Sequence, residues 1–393
     1  MSSIMEAVMV ICFGASWPMS LHKSIVSRTT KGKSLLFECL IAVGYVFGIC
    51  GKLMSGTITY VFIFYVLNLA SRLIHAKSYR DVGASIYWDN PLVGKIAIFL
   101  WDILIFMSSI TILGSCVAGC GSQLDQLFGM PYWVGCAFFI ALMVVILCFG
   151  KNILERLGKM SAPLIVMFFA VCIAGIIYGF PHMVEALTTD LGAPVVEDSS
   201  FGAIFKSGFT YGLVQLGAFQ ALTVMAGKFE SRKDTAKFIG LGFLLNCGAM
   251  LASFFSLMAF YPDILDLALP TLGIIQKLTG PLYVILIIAY NMVLFLAYIT
   301  TAGGMAGGAQ ARYLPLLKKK INSDLICRII IIVVFFGAAT ALSTLGLDGI
   351  LTTVNEINSA CRLPVWYIPI VILGPFSIHR VVKAQRAKQA SGE

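Results

Sequence analysis

Charge is scarce in this chain: Asp, Glu, Lys and Arg make up 12% of its 393 residues, against 59% apolar residues. No polar tract is long enough to fold as a separate soluble domain, so everything reads as membrane span or short connector. Histidine is scarcer still. The four, His22, His75, His182 and His379, all fall in connectors, which excludes paired in-membrane haem ligands. There is no Cys-x-x-Cys either, so no Cys/His zinc site and no cofactor is expected. The eleven cysteines lie mostly within spans, as small apolar packing residues; Cys116 and Cys120, one helical turn apart, are the pair to note. Catalytic signatures are also missing: there is no His-Glu-x-x-His, no Gly-x-Gly-Asp and no serine with an in-membrane histidine. An enzyme is not expected. The first apolar stretch has Glu6 and no basic residue at its start and no small-x-small cleavage site, so we expect a retained helix rather than a signal peptide.

What the chain has instead is eleven apolar stretches, near 4–22, 35–54, 57–74, 93–119, 131–149, 161–181, 201–227, 236–261, 280–305, 325–345 and 350–376. Each is about the ~20 residues needed to cross a ~30 Å hydrocarbon core. The connectors alternate between basic and non-basic. Of the 28 Lys and Arg residues, 24 fall in alternate connectors and the C-terminal tail; only Lys52, Lys206 and Lys277 lie on the opposite side, and Arg362 falls inside a span. Cytoplasmic connectors carry the excess of Lys and Arg, so the N-terminus is expected outside and the C-terminus in the cytoplasm. The fold class is therefore all-α, a polytopic protein of the cell's inner (cytoplasmic) membrane. The net charge of +9 follows from orientation and attraction to inner-leaflet lipid, and points to no nucleic-acid partner.

The first 74 residues have their own texture, with Pro18 in the first span, Thr30-Lys31-Gly32-Lys33-Ser34 in the first inner loop and Asn68 in the third span. Proline inside a helix removes a backbone hydrogen bond and makes a hinge, while the Gly and Ser/Thr cluster ends one helix and caps the next. This three-helix unit resembles the PQ-loop and SemiSWEET family. The resemblance implies a head with Pro18 and Asn68 lining a half-pore that a homodimer would complete, a sugar carrier by analogy. Met19 stands where that family has glutamine.

Residues from about 71 to 380 resemble a second family, which sets 75–393 as an expected eight-helix membrane region with a cytoplasmic tail. Ala76-Lys77-Ser78-Tyr79, the run from Gly114 to Gly121 and Gly129-Met130-Pro131-Tyr132-Trp133-Val134-Gly135 are similar to bacterial YkvI-type membrane proteins of the amino acid–polyamine–organocation superfamily. That resemblance implies a partial LeuT-like core, family helices 3 to 10 without helices 1 and 2, with a substrate site between broken helices at the midplane. It also implies secondary transport of a small amino acid-like or cationic solute, coupled to Na⁺ or H⁺. A non-transporting receptor or assembly subunit on the same scaffold is the other reading.

Polar groups inside spans are costly and therefore informative. The seventh span carries Thr210, Tyr211, Gly212, Gln215, Gly217 and Gln220; its two glycines and two glutamines weaken the helix in mid-bilayer, so a break is expected between Gly212 and Gly217 with substrate contacts from the polar residues. Asp102 lies about 10 Å deep, at ~1.5 Å per residue beyond Lys95, and is open to ion pairing, proton coupling or snorkelling. Glu356 and Arg362 share the last span with Pro364, Pro369 and Pro375, which suggests an interrupted helix with a gating or pairing role for the two charges near its outer mouth. Asn246 and Asn291 are single polar residues that suit interhelical hydrogen bonds, and the Gly303/Gly307 and Gly304/Gly308 pairs suit close helix packing.

Overall fold

The computed structural model describes residues 58–391, apart from 88–90, 150–160, 189–200, 262, 265, 266, 268 and 278–281. The first two expected spans, the Thr-Lys-Gly-Lys-Ser loop and Pro18 lie outside the described residues. Every regular element among the described residues is helical. A π turn, Ile58–Ile63, leads into α1 (Phe64–Leu73), followed by α2 (Tyr79–Ile86), α3 (Pro91–Phe128), α4 (Tyr132–Phe149), α5 (Ser161–Tyr178) and α6 (Phe180–Thr188). The seventh expected span is split into α7 (Phe201–Gln215), a 3₁₀ turn (Leu216–Ala218) and α8 (Phe219–Ala226). Then come α9 (Arg232–Met258), α10 (Pro270–Lys277), α11 (Leu282–Leu317) and α12 (Asp324–Ser343). The last span is interrupted twice: a π turn at Ile350–Val354, α13 (Asn355–Arg362), a second π turn at Leu363–Tyr367, and α14 (Ile368–Ser391).

Among the described residues five helices are long and apolar enough to cross a membrane: α3, α9, α11, α12 and the run from Asn355 to Gln385. Their exposure shows what solvent they suit. Only 6% of the most apolar stretch of α9 is buried, and Leu241 and Leu244 face outward. An apolar face of that size in water would drive aggregation, whereas in lipid it is matched.

Two packed regions share α3. Towards its C-terminal half, Leu113, Val117 and Cys120 pack with Phe139 and Met143 of α4, Ala302 and Ala306 of α11, and Phe335 and Phe336 of α12. Towards its N-terminal half, Trp101 is fully buried and meets Tyr87, Phe219 and Trp366 in edge-on ring contacts with centroids 6.0–6.3 Å apart. Such aromatic pairs add about 0.5–1.5 kcal/mol each beyond burial, so this cluster fastens α8 and the final span onto α3. Phe64, Val66, Leu67 and Ala70 of α1 join the same core. At the end of α1, Arg72 Nη1 donates to the Glu230 carbonyl at 3.0 Å, and Gly227 meets the Ala76 backbone so closely that no side chain fits there. Residues 58–76 are thus built into the main helical body.

Candidate functional site

The break in the seventh span is local. Thr210, Tyr211 and Gly212 lie inside the regular helix α7, and the chain tightens into a single 3₁₀ turn only at Leu216–Ala218. The expected break between Gly212 and Gly217 is therefore confined to its C-terminal end. The reason is visible in the hydrogen bonding: α7 stops before Gly217 can serve the Leu213 carbonyl, and that carbonyl accepts instead from Arg362 Nη1 at 3.0 Å. A cation at the carbonyl end of a helix is favoured by the helix dipole.

Arg362 ends α13, immediately before the second π turn. Pro364 supplies no N–H there, so the regular helical ladder fails. Pro369 cannot serve the Val365 carbonyl four residues earlier, and Tyr87 Oη donates to that carbonyl at 3.1 Å in its place. Among the described residues Arg362 is the one fully buried charged side chain, 1% exposed. Its Nη2 donates to Ser108 Oγ at 2.9 Å, its guanidinium carbon lies 6.0 Å from the Trp366 ring centroid, and its Nε has no hydrogen-bond partner. Among the described residues no carboxylate pairs with it. Gly217 makes this possible: a Cβ there would sit 3.0 Å from Arg362 Nη2 and 3.2 Å from Ser108 Cβ.

The hydroxyls of α3 form the opposing wall. Ser108, Ser109 and Thr111 each donate back to a carbonyl of their own helix and each accept from a broken span: Ser108 from Arg362, Ser109 from Gln220 Nε2 and Thr111 from Asn358 Nδ2 at 2.8 Å. Gln220 Nε2 also reaches the Met305 carbonyl at 3.4 Å, while among the described residues its Oε1 is unpartnered, as is Ser359 Oγ. Gly308 permits the close approach, since a Cβ there would lie 3.0 Å from Gln220 Cγ. On the other face of α7, Gln215 Nε2 donates to Tyr211 Oη at 2.6 Å and to Asn246 Oδ1 at 3.4 Å. Tyr211 and Asn246 line an open groove whose remaining wall is α9, including Met250, Ser253 and Phe254. Thr210 is half-buried in α7.

The other expected residues fall elsewhere. Asp102 takes both prongs of Arg312, Nε to Oδ1 at 3.1 Å and Nη2 to Oδ2 at 2.8 Å, and accepts from Tyr79 Oη at 2.5 Å. Tyr313 Oη stands 3.4 Å from Tyr79 Oη. Glu356 is exposed and lies 3.7 Å from Lys206, remote in environment from buried Arg362; so exposed a pair contributes little. Asn68 is fully buried in α1 with Nδ2 donating to the Phe64 carbonyl at 2.7 Å. Asn291 does make an interhelical bond, accepting from Gln123 Nε2 at 2.7 Å. Cys116 and Cys120 are buried free thiols. Sequence reasoning missed Ser108, Ser109 and Arg312. The adjacent serines inside an apolar span are the available signal for the first two; in sequence Arg312 reads only as an inner-connector charge.

Comparison with solved structures decides the architecture. MhsT, a LeuT-fold transporter solved in complex with L-phenylalanine, superposes with a TM-score of 0.56 at 17% identity, covering 85% of this chain and 90% of that chain. This chain has the LeuT-type fold. No family model matches the chain, and no curated protein matches it.

Proposed function

We propose that this chain is a LeuT-type secondary transporter of eleven spans, N-terminus outside and C-terminus in the cytoplasm, carrying a small amino acid-like or cationic solute across the cytoplasmic membrane. Coupling is to Na⁺ or H⁺, and access alternates about the break at Leu216–Ala218. The single observation that carries this reading is the meeting of two interrupted spans. The 3₁₀ turn at Leu216–Ala218 and the π turn at Leu363–Tyr367 face each other across Arg362 and the α3 hydroxyls. Interruptions at membrane depth are tolerated only where neighbouring protein satisfies the freed backbone groups or where they line a path, and transporters of this architecture bind their solutes at such interruptions. That MhsT holds L-phenylalanine supports an amino acid-like solute.

The test is uptake in proteoliposomes containing the full chain, with an imposed Na⁺ or H⁺ gradient and a panel of radiolabelled amino acids and small amines. Accumulation that collapses with the gradient is expected. Solute-induced thermal stabilisation without any flux would overturn transport in favour of a receptor on the same scaffold, and neither response would sink both.

A further inference from the structure

We propose that the Arg362 guanidinium is the docking point for a carboxylate on the solute. The inference deepens the transporter reading and rests on it. A guanidinium presents five N–H donors in a planar fork. Here one goes to the Leu213 carbonyl, one to Ser108 Oγ, and the Nε–H is left unpartnered. Both partners are neutral, so among the described residues the charge is uncompensated at 1% exposure. Burying a lone cation is among the most costly arrangements a protein can hold, and an arginine placed so matches a carboxylate in geometry as well as charge.

The surroundings favour a bound group over a purely structural role. Ser359, one turn before Arg362 on the same helix face, is fully buried with its Oγ unpartnered, adding a donor suited to an anion. The segment that closes over the guanidinium is the 3₁₀ turn carrying Gly217, a type of helix held by poorer hydrogen bonds than the α7 and α8 helices it joins. A purely cationic solute is repelled by the same charge, which narrows the solute class to molecules with a carboxylate.

The experiment compares acids with their matched amides on the purified full chain. L-amino acids, the corresponding amino acid amides, short monocarboxylates and putrescine are added at millimolar concentration, and thermal stabilisation is read. At least one acid should stabilise the wild type while its amide and putrescine do not. Arg362→Gln should weaken the effective acid by about a hundredfold or more. Arg362→Lys keeps the charge without the fork; it should bind that acid about tenfold more weakly while still preferring acid to amide, and it carries the test if the Gln variant fails to fold. An amide as effective as its acid, an acid response unchanged in Arg362→Gln and Arg362→Lys, or no response to any acid would each overturn the proposal. Acid-selective stabilisation without uptake leaves the Arg362 site standing and refutes transport; uptake of an amide or of putrescine, undiminished in Arg362→Lys, does the reverse.

Discussion

Asp102→Asn separates a structural ion pair from a proton-coupling carboxylate. The carboxylate takes a bidentate Arg312 at 3.1 and 2.8 Å and a Tyr79 hydroxyl at 2.5 Å, and the side chains of Asp102 and Arg312 are 21% and 9% exposed. Removing one partner of a buried pair costs about 3–5 kcal/mol, because the other charge is left uncompensated. Asparagine keeps the volume and one acceptor oxygen, and the Asp102 side chain is only partly buried, so a loss of about 2–3 kcal/mol is expected. Arg312→Gln should cost a similar amount. The double variant should be less damaged than the two single losses combined, with a coupling of about 1–3 kcal/mol, since the second change removes the stranded charge. Thermal melting of the full chain in detergent reads all three, as drops of several degrees for each single variant and partial recovery in the double. If Asp102→Asn melts within a degree of the wild type yet shifts the pH dependence of uptake, Asp102 is a proton site and the ion-pair assignment is wrong.

Other expectations follow from the same geometry. Gln215→Ala removes a donor to both Tyr211 Oη and Asn246 Oδ1, which are also bonded to each other at 3.3 Å, beside the open groove along α9, so uptake should fall at least tenfold while stability changes by no more than about 1 kcal/mol; unchanged uptake would remove this face from the site. Gly217→Ala places a methyl 3.0 Å from Arg362 Nη2, and overpacking of about 1–2 kcal/mol should appear as weaker solute binding, measured by titration, with the fold retained. Between α9 and α10, the hydrogen bond from Lys277 Nζ at 2.8 Å holds the Asp263 carboxyl below the usual carboxylate range. A depressed pKa stabilises above the unfolded value of about 3.9 and is lost as pH falls through the folded one, so the small melting difference between wild type and Lys277→Met should be constant above about pH 5, begin to shrink near pH 4 and disappear only below the lowered folded value.

Hydropathy alone located the helices because a lipid-facing helix needs continuous apolar character, which is legible one residue at a time: from residue 93 onward every expected span coincides with helix in the structure. The interruptions were legible in part. Pro364 and the Gly217 region marked the two breaks, yet Gly212 looked equally disruptive and lies in regular helix, because breaking depends on what takes up the freed carbonyl. Arg362 takes the one at Leu213, and that contact spans 149 residues of sequence. The same limit hid Arg312. A charge at a connector reads as orientation until the fold brings it against Asp102. The small helices α2 and α10 were invisible to a search for long apolar runs, being short and only half apolar. Among the described residues α1 packs into the Trp101 core, a long-range contact that hydropathy does not report.

The placement of Arg362 also bears on where a coupling cation can bind. At an effective dielectric of about 20, a second positive charge about 6 Å away is opposed by roughly 3 kcal/mol, which is about a hundredfold in affinity. A cation therefore binds poorly next to the Leu216–Ala218 turn while the guanidinium is alone there. A solute carboxylate on Arg362 cancels that opposition, so cation and solute favour each other without touching, and by linkage each raises the other's affinity by the same factor. If Na⁺ is the coupling ion and binds close to this turn, Na⁺ should stabilise the wild-type chain against heat only weakly without solute and much more strongly with an effective acid present. In Arg362→Gln, Na⁺ stabilisation should become strong and independent of the acid. Na⁺ stabilisation that is equally acid-dependent in wild type and Arg362→Gln would show that the coupling runs through another group.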